Sequence, residues 1–129
     1  MKYLLDTAPF LWAEFDQTEF LSEQATGLIR DPGSTLVLSS VSIWEISIKF
    51  SLRKLQMKIE PKELVEKLTL NRNIELLVIS HIHATSVASL PFHHKDPFDR
   101  LLIAQAKVEN LPILTPDTAF KKYDVEVVW

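Results

Sequence analysis

Short apolar runs along the chain alternate with longer segments in which apolar residues recur at helical spacing. The runs predict buried strands at residues 2–5, 36–38, 75–79, 112–114 and 125–128. The longer segments predict helices at residues 9–15, 19–30, 42–53, 61–70, 80–90 and 97–110, with a further short helix from Pro116. Strands that alternate with helices indicate βαβ units. The pattern therefore predicts an α/β fold of three layers, with a mostly parallel central sheet and helices on both faces.

The composition is that of an ordinary globular protein. With 129 residues, no repeat and no linker-like segment, residues 1–129 are expected to form a single domain. The absence of cysteine excludes disulfides, thiolate zinc sites and cysteine nucleophiles, and it agrees with a cytoplasmic location. The opening apolar stretch is too short for a signal peptide, and no run reaches the ~20 apolar residues of a membrane span. Because the net charge is −3, nucleic-acid binding would require a local patch or a metal.

Four carboxylates lie at separate junctions between predicted strands and helices: Asp6, Glu45, Asp99 and Asp117. In an open parallel sheet, the carboxyl ends of the strands converge on one crevice, where ligands bind. Four ionised acids in one crevice would repel each other unless a cation lay among them. The pattern therefore predicts a site for a hard divalent cation.

Three of the acids also have a structural interpretation. Asp6 would cap the helix that follows it. Ser42 and Glu45 have the spacing of a capping box, and Glu45 is also placed to pair with Lys49 one helical turn later. Asp117 would interact with the dipole of a short helix. The prediction of a metal site thus rests on the joint pattern of the acids and not on any one of them.

Asp99 is the acid that a structural role explains least well. It shares one helix face with Leu102, Ile103 and Ala106, and a lone carboxylate on such an apolar face is costly. Asp96, three residues earlier, has the position of the helix N-cap but could compete with Asp99 for a role as ligand.

Four short segments carry these acids. They read YLLDT at 3–7, SIWEI at 42–46, DRLLIAQA at 99–106 and LTPDTAF at 114–120. In their order and spacing, over nearly the whole chain, they resemble the motifs of PIN-domain proteins, specifically the VapC-type toxin ribonucleases of toxin–antitoxin pairs. The spacing to Thr115 favours Asp99 over Asp96 as the third acid of the family pattern.

The resemblance implies a PIN-like fold and an endoribonuclease that hydrolyses RNA phosphodiester bonds with Mg²⁺ or Mn²⁺. It implies that Asp6, Glu45 and Asp99 are metal ligands, and that Asp117 binds through water or holds a second ion. Thr115 would orient a carboxylate or a water; its alternative role is that of a helix N-cap. The implied partners are an RNA substrate and a cognate antitoxin protein, in a homodimer or a toxin–antitoxin hetero-oligomer, with no membrane.

Two other functions are compatible with this pattern. One is a PIN-like nuclease that processes RNA without an antitoxin, and the other is a non-catalytic interaction module with the same fold. A phosphatase that uses Asp6 as nucleophile is disfavoured because Ala8 occupies the position of the second acid such a motif requires.

Several residues outside the acids have two possible roles. Zinc binding is disfavoured because neither His81 and His83 nor His93 and His94 share a helix face. The segment His93–Lys95 either approaches substrate phosphate or forms an exposed loop, whereas Lys49 and Arg100 are placed to hold substrate or to tune the acids. The bulky side chains of the early helices, including Trp12 and Phe15, form core or line a groove for an antitoxin helix.

Overall fold

A computed structural model describes residues 1–71 and 73–129 of the chain. Its strands form one sheet in which every pair of neighbours is parallel. The strands are β1 (Lys2–Leu5), β2 (Thr35–Ser39), β3 (Ile74–Leu77), β4 (Ile113–Leu114) and β5 (Val127–Val128), in the spatial order β3-β2-β1-β4-β5. All five strands lie where the apolar runs predicted them, and the predicted parallel sheet is confirmed.

In the described residues, six α-helices connect or flank the strands. They are α1 (Thr7–Glu14), α2 (Glu23–Arg30), α3 (Ser40–Ser51), α4 (Pro61–Thr69), α5 (His81–Ser86) and α6 (Pro97–Glu109). Short 3₁₀ turns occupy Thr18–Phe20, Val87–Ser89 and Thr118–Lys122. Among the helices that the structure describes, none is both long enough and apolar enough to cross a bilayer.

Serine caps move two helix starts away from the predicted positions. Ser22 Oγ accepts a hydrogen bond from Ala25 N at 3.0 Å, so α2 begins at residue 23 rather than 19. Ser39 Oγ accepts from Val41 N at 3.0 Å, so α3 begins at residue 40. The predicted capping box of Ser42 and Glu45 is therefore wrong, because both residues lie inside the helix.

Two apolar clusters lie on opposite faces of the sheet. Successive residues of a strand point to opposite faces, and Leu4 belongs to one cluster while Tyr3 and Leu5 belong to the other. Helix α6 covers the first face, with Leu102 and Ile103 fully buried. Helices α1, α2 and α4 contribute to the second cluster. This arrangement confirms helices on both faces and explains why the strands read as continuous apolar runs.

The strand order places a crevice beside β1. Strand β1 pairs with β2 on one side and with β4 on the other. The chain passes from β1 to β2 and β3 on one side and then crosses to β4 on the other side, so the direction of strand addition reverses at β1. In open parallel sheets, the carboxyl ends of the strands at such a switch point are where ligands bind. Asp6 directly follows β1, Thr115 directly follows β4, and α3 directly follows β2.

Candidate metal centre

Three of the four predicted acids line one cleft at the carboxyl ends of the strands. Asp6 comes from the turn after β1, Glu45 from α3 and Asp99 from α6. The cleft has a volume of about 160 Å³, and Thr7 and Lys49 also line it. Acids up to 93 positions apart in sequence (99 − 6) thus lie in one small cleft.

Both carboxylate oxygens of Asp6 are held by donors. Oδ1 accepts from the backbone N–H of Thr7 at 2.8 Å, which makes Asp6 the N-cap of α1. Oδ2 accepts from the hydroxyl of Thr115, also at 2.8 Å. Burial raises the pKa of Asp6 above its ordinary value; these two hydrogen bonds oppose the rise, and the charges of Glu45 and Asp117 add to it.

Glu45 is held in a similar way on both oxygens. Oε1 accepts from the hydroxyl of Thr7 at 2.8 Å, and Oε2 accepts from the ammonium of Lys49 at 2.7 Å. The hydroxyl of Thr7 also lies 2.9 Å from the hydroxyl of Ser42, so Ser42 supports the cleft rather than the helix terminus. The predicted pairing of Glu45 with Lys49 along the helix is confirmed.

Asp99 is the acid whose ionisation the cleft opposes most clearly. Burial, followed by the charges of Asp6, Asp96, Asp117 and Glu45, raises its pKa to about 8. The Asp99 side chain is 17% exposed to solvent. The shift thus has two physical causes, removal of the carboxyl group from water and the nearby negative charges of the other acids.

Asp96 and Asp117 are exposed and cap helices. Asp96 Oδ1 accepts from the backbone N–H of Phe98 at 2.9 Å and of Asp99 at 3.1 Å, so the predicted cap of α6 is confirmed. Asp117 Oδ1 accepts from Ala119 N at 2.9 Å, in the same role for a 3₁₀ turn. Neither acid lines the cleft, but the charges of both raise the pKa of Asp99.

Thr115 joins two of the acids instead of capping a helix. It is 1% exposed, donates to Asp6 Oδ2, and accepts from the backbone N–H of Asp117 at 3.1 Å. The N-cap of the following turn is Asp117, so the alternative capping role of Thr115 is wrong.

The oxygen atoms that the cleft offers as metal ligands suit a hard divalent cation. Carboxylates and hydroxyls are the oxygen ligands that Mg²⁺ and Mn²⁺ prefer. In residues 1–71 and 73–129, no three His, Asp or Glu side chains are arranged to hold one ion directly. Mg²⁺ usually takes only one or two carboxylates and completes its shell with water and substrate phosphate, and the cleft can meet that requirement.

The basic and histidine residues near the acids divide between the site and the scaffold. Lys49 lies in the cleft. Arg100 is 4% exposed and cannot contact a substrate, so of its two predicted roles the one of holding substrate is wrong. His93 is exposed as predicted, but His94 is half-buried and lies 3.3 Å from Asp99 Oδ2. His83 is 3% exposed and completes a capping box with Ser80.

Sequence reasoning missed Thr7 and Tyr123 as neighbours of the site. Thr7 directly follows Asp6, and its place at a helix start was a usable signal. Tyr123 contacts His94 from 29 positions away, a pairing that only the packed fold reveals.

Comparison with known proteins gives a family and a fold. The sequence profile of the PIN domain matches residues 3–126. A search of curated proteins found no match. VapBC-1 from nontypeable Haemophilus influenzae is a similar solved structure, with a TM-score of 0.68, 17% identity, and coverage of 99% of this chain and 97% of that chain. The structure of VapBC2 from Rickettsia felis bound to a DNA fragment from the VapBC2 promoter has a TM-score of 0.65 and 16% identity, and the match covers 100% of this chain and 98% of that chain. A toxin–antitoxin complex from Klebsiella pneumoniae has a TM-score of 0.59, 17% identity, and coverage of 90% and 87%.

Proposed function

The chain belongs to the PIN domain family, and from that premise we propose that it is a metal-dependent endoribonuclease and the toxin of a toxin–antitoxin pair. One observation carries the nuclease proposal. Carboxylates from three separate elements line a single cleft at the carboxyl ends of the strands. They lie so close that their charges help to raise the pKa of Asp99 to about 8. Such a concentration of negative charge is useful where a cation is bound.

In this proposal Asp6, Glu45 and Asp99 surround the cation, with one or two of them bound to it directly and the remainder through water, and Asp117 contributes through water or to a second ion. A bound Mg²⁺ or Mn²⁺ supplies charge neutralisation, polarisation of the phosphodiester and activation of the attacking water. Thr115 and Thr7 orient the carboxylates of Asp6 and Glu45 through the hydrogen bonds they donate.

The reaction is hydrolysis of a phosphodiester bond. The oxygen of water forms a bond to phosphorus, the bond from phosphorus to the leaving sugar oxygen breaks, and that oxygen takes up a proton. Lys49 is suited to contact the phosphate, because its side chain lines the cleft and remains 49% exposed while it pairs with Glu45. Because Lys49 pairs with Glu45 and three acids line the same cleft, attraction of RNA to this site would depend on the bound cation.

A groove next to the cleft supports the proposal of a protein partner. The groove has a volume of about 600 Å³ and combines apolar side chains such as Trp12 and Phe15 with charged ones such as Lys67. Leu11 and Leu55 line both the groove and the acidic cleft. An antitoxin segment seated in the groove would therefore lie beside the acids and obstruct access to them. We take this partner to form a hetero-oligomer with the chain in the cytoplasm.

An RNA cleavage assay with Mg²⁺ or Mn²⁺ tests the nuclease proposal. Asp6→Asn preserves the shape of the side chain and removes its charge, so we expect cleavage to fall by roughly 10²–10³-fold, as for other lost electrostatic contributions to catalysis. Asp124→Asn, at an exposed acid outside the cleft lining, is the control and should cleave at the wild-type rate. Cation-independent cleavage, or equal rates for wild type and Asp6→Asn, would contradict the proposal.

A further inference from the structure

A continuous chain of hydrogen bonds connects a buried guanidinium to Asp99. Arg100 Nη1 lies 3.2 Å from the hydroxyl of Tyr123, and this hydroxyl lies 2.8 Å from Nδ1 of His94. At the other side of the imidazole, Nε2 lies 3.3 Å from Oδ2 of Asp99. Arg100 and Tyr123 are each 4% exposed, so solvent has little access to the first part of this chain.

In this series of hydrogen bonds, each donor lies on the Arg100 side and each acceptor on the Asp99 side. The Tyr123 oxygen accepts from Arg100 Nη1 and from the backbone N–H of His94, both at 3.2 Å. These bonds occupy its two lone pairs, so its own proton is directed to His94 Nδ1. The imidazole proton is then on Nε2, which donates to the carboxylate of Asp99. Successive hydrogen bonds with the same direction polarise and strengthen each other.

Arg100 also fixes the loop on which His94 lies. Its guanidinium donates to the carbonyl of Pro91 at 2.8 Å and to that of Leu90 at 3.4 Å. It stacks over the ring of Phe92 at 4.0 Å from the centroid. The position and the tautomer of His94 are therefore both set by contacts that do not involve the cleft.

From this geometry we propose that His94 is a positioning residue that holds the Asp99 carboxylate in place for cation binding. The inference rests on the proposed function of the cleft as a metal site. Asp6 and Glu45 each receive hydrogen bonds on both oxygens, whereas in the described part of the chain Asp99 receives one side-chain hydrogen bond, from His94. Loss of such an outer hydrogen bond to a ligand typically weakens metal affinity by roughly 10–100-fold.

Two substitutions separate the two ends of the imidazole. His94→Gln places an amide N–H near the position of Nε2 and keeps a donor for Asp99. His94→Asn places its amide near the position of Nδ1, so it retains a partner for Tyr123 but does not reach Asp99. We expect Mn²⁺ affinity, measured by calorimetric titration of the purified chain, to fall by roughly 10–100-fold in His94→Asn and to stay within about threefold of wild type in His94→Gln.

A second readout needs no metal. Nitrogen NMR of the imidazole should show Nε2 of His94 as protonated and Nδ1 as a hydrogen-bond acceptor, and Tyr123→Phe should disturb the Nδ1 signal because it removes the donor to Nδ1. His81→Asn, at an exposed histidine of α5, is the matched control and should leave Mn²⁺ affinity unchanged. Thermal unfolding of each variant verifies that the folded protein is being compared.

The outcomes separate the inference from the proposed function. If wild type binds Mn²⁺ and a folded His94→Asn binds it equally well, or if His94→Gln loses as much affinity as His94→Asn, His94 has no positioning role. If the tautomer is protonated at Nδ1, the direction of the chain is wrong and the inference falls. A wild-type protein that binds no Mn²⁺ would overturn the metal site itself, and the role of His94 with it.

Discussion

Replacing Asp99 by Asn should stabilise the metal-free protein at neutral and alkaline pH, although it should weaken cation binding. The pKa of Asp99 is raised from 3.8 to about 8 in the folded state. Between these values the folded protein retains a proton that the unfolded chain has lost. The stability due to this proton is complete below the unfolded pKa and is lost as the pH rises through the folded pKa. Asn has no proton to lose, so the variant should lack this dependence.

The size of the effect follows from the pKa shift and the surroundings of the carboxyl group. One pKa unit corresponds to about 1.4 kcal/mol, so the full shift from 3.8 to about 8 would give an upper bound of about 6 kcal/mol at high pH. The side chain is 17% exposed, and reorientation toward water would reduce the cost of its charge. With an effective dielectric constant of about 20 for such sites, we expect a gain of about 1–3 kcal/mol near pH 8 and about a third of that near pH 5, because the linkage effect grows with pH between the unfolded and the folded pKa.

Urea unfolding in the presence of EDTA measures this difference directly. Wild type and Asp99→Asn are compared near pH 5 and near pH 8, well inside the titration window and at its upper end. Asp124→Asn is the control, because Asp124 is exposed and is not among the charges that raise the pKa of Asp99, so its effect should be small at both values. An Asp99→Asn effect that is the same at both pH values would refute the argument from linkage.

Three further predictions concern the cation, the scaffold of the cleft and the groove. Mn²⁺ should raise the unfolding free energy by about 2.7 kcal/mol at a hundredfold excess over its Kd, and an unchanged melting temperature across millimolar Mg²⁺ and Mn²⁺ would count against the site. Thr115→Val removes the donor to Asp6 and should cost about 1–3 kcal/mol of stability and weaken Mn²⁺ binding, whereas Thr118→Val, at an exposed position, should change neither. Trp12→Ala should lower antitoxin affinity by more than it lowers the free energy of unfolding. Phe10→Ala, at a core residue that is 2% exposed, should instead cost about 3–5 kcal/mol of folding stability. Equal losses of affinity and of stability in Trp12→Ala would show that Trp12 is a core residue.

The strands and their direction could be predicted because burial on both faces leaves a plain signal. The strands are short runs of mostly apolar residues, and helices such as α2 and α4 carry an apolar stripe, so the alternation of elements was visible in the sequence. The start of α3 could not be predicted in the same way. Ser39 and Ser42 both have suitable capping chemistry, and tertiary structure decides between them: Ser39 caps the helix, and Ser42 packs against Thr7.

The acids of the cleft could be predicted from local signals, but the groups that hold them could not. Asp6 follows a strand and Asp99 interrupts an apolar helix face, and both features are visible in a single sequence. The contact of His94 with Tyr123 spans 29 positions and depends on how the loop before α6 folds back on the C-terminal segment. Arg100 directly follows Asp99 in sequence, yet its position on the helix directs its side chain toward the interior. There its guanidinium donates to backbone carbonyls and stacks on an aromatic ring.

Burial is the largest cause of the raised pKa of Asp99, and the balance of charge in the cleft adds to it. Asp6, Glu45 and Asp99 would contribute three negative charges when ionised, and Lys49 contributes one positive charge, which leaves −2. Lys49 pairs with Glu45 at 2.7 Å, and Asp6 accepts two hydrogen bonds that lower its pKa. In the part of the chain that the structure describes, Asp99 has no lysine or arginine partner and is hydrogen-bonded to one side chain, that of His94, so without a cation it binds a proton instead. The residual charge of −2 equals the charge that one divalent ion would neutralise. A second ion would therefore require additional negative charge, which Asp117 or a substrate phosphate would supply.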